Sequence, residues 1–161
     1  MRVKKYKTEY SDEYPPQLVM ESSHNYPEYS KLSNPDVVWR FCLDLGLGKA
    51  TEEHVLVFAL DNATHMIGYF ELSVGTVGAS VVSTREVFMK LLLMGAVSYM
   101  IIHNHPSDNT VPSDKDRNVK KKLAAAGKLM DISMLDFIII GRTTYYSAAE
   151  EHELYISTKR R

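Results

Sequence analysis

Apolar positions along this chain fall into short blocks whose spacing alternates between that of strands and that of helices. His54 to Asp61 is almost unbroken apolar sequence. Met66 to Val74 follows after Asn62-Ala63-Thr64-His65, so the two blocks read as a hairpin. His65 reads as a solvated turn residue rather than a ligand. Val97 to His103, apolar and partly β-branched, predicts a buried strand, and further strands are expected over Ile132 to Ile140 and Tyr145 to Ser147. Polar caps mark helices between them. Asn34-Pro35 opens one that runs to about Leu45 and stops at Gly46 and Gly48. Ser83 with Glu86 forms a capping box for a second, to about Met94. A third is expected from about Asp114 to Ala126, ending at Gly127, with Lys120, Lys121 and Lys122 on a solvated face. A charged C-terminal helix or tail closes the chain.

Strands that alternate with helices, but begin with a hairpin, predict an α/β (α+β) domain with a mixed sheet flanked by helices. Residues 1–33 stand apart. They are polar and rich in tyrosine: Tyr6, Tyr10, Tyr14, Tyr26 and Tyr29. The first three recur every four residues, while Pro15-Pro16 and Pro27 break any long helix. The expectation is an arm over 1–33 laid on a domain spanning 34–161. A partner-binding segment, or aromatic stacking on single-stranded nucleic acid, is the alternative, which Glu9, Asp12 and Glu13 weaken.

The candidate chemistry lies where the Val97 strand ends. His103 and His105 are two apart and face the same way on an extending chain. Pro106 and Pro112 bound a polar loop, Ser113 reads as a helix N-cap, and Asp116 falls at the third helical position. A helix start facing the strand end would bring Asp116 towards the imidazoles. Taken alone, Ser113-x-x-Asp116 more often means a cap, and two histidines at a strand end are often only polar residues there. Together they form H-x-H-x₇-S-x-x-D, and two imidazoles with a carboxylate are a zinc set that leaves one position for water.

These residues resemble the JAMM metalloprotease motif. The wider blocks, Ser83-Thr-Arg-Glu-Val-Phe88, Ala96 to Asp116, Gly75-Thr76 and Leu135-Asp-Phe-Ile-Ile-Ile-Gly141, resemble its RadC-type branch over about residues 34 to 150. The resemblance implies a JAB/MPN-like curved mixed β-sheet flanked by helices, a cytidine deaminase-like architecture. It implies Zn2+ held by His103, His105 and Asp116. It also implies an acid before an early apolar strand acting through the metal-activated water. That role falls on Glu53, with Glu52 beside it as the competing register. Ser113 would steady the oxyanion. The implied reaction is hydrolysis of an amide or isopeptide bond in a peptide or protein. Two positions depart from the branch: Asp108 replaces the usual glycine, and Phe137 replaces the usual histidine after the late aspartate.

Composition narrows the classes. A length of 161 residues suits one domain with a real core, and 19 basic against 20 acidic residues give no bulk charge for nucleic acid. The single cysteine, Cys42, excludes an internal disulfide and reads as a buried thiol. The longest apolar run, Leu91 to Ile102, is too short to span a bilayer, and the basic N-terminus lacks an apolar segment after it. The expectation is a cytoplasmic protein without a membrane partner. The alternative to a hydrolase is a non-catalytic or DNA-associated accessory protein with a structural metal site. No convincing helix-hairpin-helix pattern supports it. The literal His-Asn-His triplet does not make an HNH nuclease, whose residues are spread over a hairpin and helix. A nucleobase deaminase needs a Cys-x-x-Cys pair that is absent.

Overall fold

A computed structural model describes residues 1–75 and 82–154. Its elements in chain order are β1 (Arg2–Glu9), β2 (Gln17–Asn25), α1 (Pro35–Asp44), a short 3₁₀ turn (Leu47–Lys49), β3 (His54–Leu60), β4 (Met66–Val74), α2 (Thr84–Leu93), β5 (Ser98–Asn104), α3 (Asp114–Leu129), β6 (Ser133–Ile140) and β7 (Tyr145–Ser147). The strands form one mixed sheet in the order β2-β1-β4-β3-β5-β6-β7. Pairs β1/β4 and β5/β6 are parallel and the others antiparallel.

The unbroken apolar runs are explained by burial on both faces. Val55, Val57 and Ala59 of β3 pack towards Val87, Phe88 and Leu91 of α2 and Leu123 of α3. The alternate residues Leu56 and Phe58 pack towards Val38, Phe41 and Cys42 of α1 on the other face. A strand with both faces covered loses the polar alternation of a half-exposed one. Cys42 is buried, as its apolar neighbours imply, and burial pushes its thiol pKa up. Among the described residues no helix is long and apolar enough to cross a membrane.

The helix starts follow the caps. Asn34 Oδ1 accepts from Val37 N–H at 2.9 Å, and Pro35 occupies the first turn. Gly46, with φ of +94°, turns the chain after α1. Ser83 accepts from Glu86 N–H at the start of α2.

Three local expectations are corrected. Gly127 does not end α3, which continues to Leu129. Its missing Cβ admits a close approach: a Cβ there would stand 2.5 Å from Ile132 O and 3.0 Å from Tyr99 Oη. Lys120 is buried, unlike its neighbours Lys121 and Lys122, and its ammonium lies 3.5 Å from Glu153. Within residues 1–33, β1 and β2 form an antiparallel hairpin that extends the sheet beyond β4, where no strand was expected. Gly68 lets it dock, since a Cβ there would meet Tyr6 Cε2 at 2.6 Å and Lys4 O at 2.7 Å. Tyr26 and Tyr29 set their ring edges against Phe41, while Tyr10 and Tyr14 stay exposed. Thr76 and the end of the expected C-terminal helix or tail lie outside the described residues; as far as Leu154 that segment is turn.

Gly127→Ala tests the close approach. Helix propensity alone would favour alanine by about 1 kcal/mol. The clash with Ile132 O is expected to reverse the sign and cost about 1–3 kcal/mol in denaturant unfolding.

Candidate metal centre

Three elements converge where β5 ends. β5 runs buried as far as Asn104, carrying His103 to the sheet edge, and His105 follows in the loop. The rung Val55↔His103 sets the start of β3 beside them. The loop from His105 to Ser113 then returns the chain so that the first turn of α3 faces the same point.

Ser113 caps α3 reciprocally with Asp116. Asp116 N–H donates to Ser113 Oγ at 3.2 Å, and Ser113 N–H donates to Asp116 Oδ2 at 2.8 Å. The Ser113 hydroxyl also donates to Asp116 Oδ2, at 2.6 Å. Cap and ligand placement are thus one arrangement: the capping box aims the Asp116 carboxylate at the imidazoles. His103 Nε2 lies 3.6 Å from Asp116 Oδ1, and His105 Nε2 lies 3.6 Å from Asp116 Oδ2.

Both imidazoles are oriented by backbone carbonyls. His103 Nδ1 donates to His54 O at 3.1 Å, and His105 Nδ1 donates to Asn109 O at 2.6 Å. A carbonyl only accepts, so each Nδ1 carries the proton, and in a neutral ring Nε2 keeps its lone pair. Those lone pairs point at a buried carboxylate, which also only accepts. At 3.6 Å the separations are too long for hydrogen bonds. Two donors about 2.0–2.1 Å from a tetrahedral ion stand about 3.3 Å apart. The donor set and its spacing therefore suit a divalent cation, with the histidine carbonyl partners in the usual outer-shell role.

Glu53 completes the cluster. One ligand-type atom from each of Glu53, His103 and His105 lies within 4.8 Å of the others. Together with Ser113 and Asp116 they line an open cleft of about 560 Å³ that also takes in Ser107, Asn109 and Lys115. Glu52 is exposed and lies outside that cleft. All five residues singled out from the sequence, Glu53, His103, His105, Ser113 and Asp116, thus border one space. The carbonyls of His54 and Asn109 were missed, because a main-chain acceptor leaves no mark in residue identity.

Electrostatics separate the two histidines. Burial pushes His103 below its ordinary pKa of 6.5, which favours the neutral ring. The facing Asp116 carboxylate is the main influence holding His105 above 6.5. For Asp116 burial acts upwards, but His105 and Ser113 outweigh it and hold the carboxyl well below its usual range.

The residues between His105 and Ser113 show why Asp108 is tolerated where glycine is usual. Its φ is +65°, a region open to glycine and, among other residues, to aspartate. Its carboxylate accepts from Arg142 N–H at 2.6 Å and Thr143 Oγ1 at 2.9 Å, tying the loop between His105 and Ser113 to the turn before β7. Phe137, at the other departure, is a core side chain of β6.

The sequence pattern of the family described as RadC-like JAB domain matches residues 32–154. The chain belongs to that family. Curated relatives named UPF0758 protein are similar to this chain. The one from Thermotoga maritima is 34% identical over 124 residues, covering 77% of this chain and 55% of the relative. That from Pasteurella multocida is 36% identical over 115 residues, covering 71% and 51%. That from Methanococcoides burtonii is 39% identical over 100 residues, covering 62% and 44%. This RadC-like chain spans about half the length of the curated relatives it matches, and their names state no activity.

The histidine asymmetry gives a pH dependence. His105 binds a proton at a higher pH than an ordinary imidazole, and a metal must displace it; His103 is already neutral there. Apparent affinity for a divalent ion is expected to fall as pH drops through the raised His105 value and to level off above it. The slope of log affinity against pH should be about one, for one displaced proton. Zinc titration across that range checks this; a slope of two would show both rings protonated.

Proposed function

We propose that this chain carries a zinc-dependent metallohydrolase site of the JAMM type, acting on an amide or isopeptide bond in a peptide or protein. The carrying observation is the convergence of two carbonyl-oriented imidazoles and a capped carboxylate beside a second carboxylate in an open cleft. His103, His105 and Asp116 would hold the ion. Zinc held by that His₂Asp set would supply a water of pKa about 7 and a Lewis acid for a carbonyl.

The chain's own groups divide the remaining work. Asp116 is anchored twice by Ser113 and buried against the imidazoles, which suits a fixed ligand. Glu53 is only partly buried and opens onto the cleft, which suits a group that must exchange protons. It takes a proton from the attacking water and passes it to the leaving amine. The Ser113 hydroxyl turns from Asp116 towards the developing oxyanion, while Ser113 N–H keeps Asp116 in place. Solvent access at the cleft mouth admits an extended peptide segment more readily than an enclosed pocket would.

Glu53→Gln is the separating test. The variant is expected to keep its metal and to lose at least about 100-fold in turnover when amide and isopeptide substrates are screened with the zinc-loaded protein. Full turnover in Glu53→Gln would overturn the proton-transfer role. Loss of the metal would instead make Glu53 a ligand.

A further inference from the structure

Glu53 stands next to a second acid, Glu52, and both lie just outside β3, whose first rung is His54↔Val74 on the β4 side. The β3–β5 ladder has its last rung at Val55↔His103, two residues short of Glu53. Adjacent residues of an extended chain face opposite ways, so the direction of the peptide units at 52–54 decides which acid enters the cleft.

We propose that Asn104, the residue between the two histidines, is the positioning residue that fixes this choice from the β5 side. Its side chain is buried, with 1% of the residue exposed. Asn104 Oδ1 accepts from His54 N–H at 2.6 Å, and Asn104 Nδ2 donates to Glu52 O at 3.0 Å. An N–H only donates and a C=O only accepts, so the two bonds fix the orientation of the amide. The side chain takes the place of the next rung that the backbone does not form. From the β4 side Gly75 N–H donates to Glu53 O at 2.9 Å, and from the β5 side His103 Nδ1 donates to His54 O at 3.1 Å.

The peptide units on both sides of Glu53 are therefore gripped by three bonds, two of them from Asn104, and the His103 bond holds the unit after them. Held this way, Glu53 faces the cleft with His103 and His105, while His54 faces a separate cavity with Leu56, Tyr69 and Glu71. Glutamine is too long to make the same pair of bonds. Aspartate keeps the acceptor for His54 but cannot donate to Glu52 O. The role rests on the reading of Glu53 as the proton-transfer group at the metal.

The experiment uses the full chain loaded with cobalt(II), comparing wild type, Glu53→Gln, Asn104→Ala and Asn104→Asp. Three quantities are read: cobalt stoichiometry, the pH dependence of the visible cobalt spectrum, and hydrogen exchange at the His54 amide. Asn104→Ala is expected to keep wild-type stoichiometry, because His103, His105 and Asp116 do not bond to the Asn104 side chain. Its His54 amide should exchange on the order of tenfold faster. The midpoint of its spectral pH dependence should move from the wild-type position to that of Glu53→Gln. Asn104→Asp should restore His54 protection but leave the midpoint displaced, and it carries the test if the alanine variant does not fold.

A lowered melting temperature with a wild-type midpoint in both Asn104 variants would overturn the proposal and leave Asn104 a packing residue. Loss of cobalt from Asn104→Asp would overturn it as well. If Glu53→Gln itself titrates like wild type, the Glu53 reading fails first and the positioning role falls with it, a signature distinct from the other two.

Discussion

Everything at the site hangs from the antiparallel pairing of β3 with β5. Both strands are buried on two faces, so their register is set by the core and cannot slip without exposing Val57, Phe58, Ile101 and Ile102. The rung Val55↔His103 is the last one, and polar residues begin where it ends. Glu53 and the histidine pair meet because two apolar strands stop paired at the same edge. α3 brings the remaining carboxylate because its N-terminal cap lies over that edge.

The centre is held in a state that asks for a cation. Each imidazole has its Nδ1 proton committed to a carbonyl, and Asp116 has one oxygen committed to Ser113. What remains facing inward is lone pairs, in a place where His103 and Asp116 are almost free of water. Buried acceptors facing one another are costly unless something positive lies between them. A proton on His105 partly meets that need, which is why its pKa is raised; a divalent ion meets it more fully.

Much of this was legible in the sequence, for reasons that can be named. The β3, β4 and β5 runs are apolar enough to declare themselves, and Asn34, Ser83 and Ser113 mark helix starts because their side chains are the ones that cap. The His-x-His…Ser-x-x-Asp motif combines several residue types at one long spacing, so His103, His105, Ser113 and Asp116 stood out in the sequence, whereas Glu53 was reached only through the family resemblance, with Glu52 as its rival. What stayed hidden depends on tertiary context. Gly127 looks like a stop until Tyr99 and Ile132 are seen against it. Lys120 looks like its two lysine neighbours until α3 packs. β1 and β2 are polar strands at the sheet margin with mixed burial, so neither a core-like run nor a clean alternation announces them. Asn104 sits inside the motif, but its two bonds go to main-chain groups some fifty residues away.

The central claim is that these residues form a metal site, and metal content tests it most directly. Elemental analysis of the wild-type chain and Asp116→Ala, purified side by side without chelators, should find about one zinc per wild-type chain and none in the variant. Folded wild-type protein that takes up no metal when zinc is supplied would contradict the account.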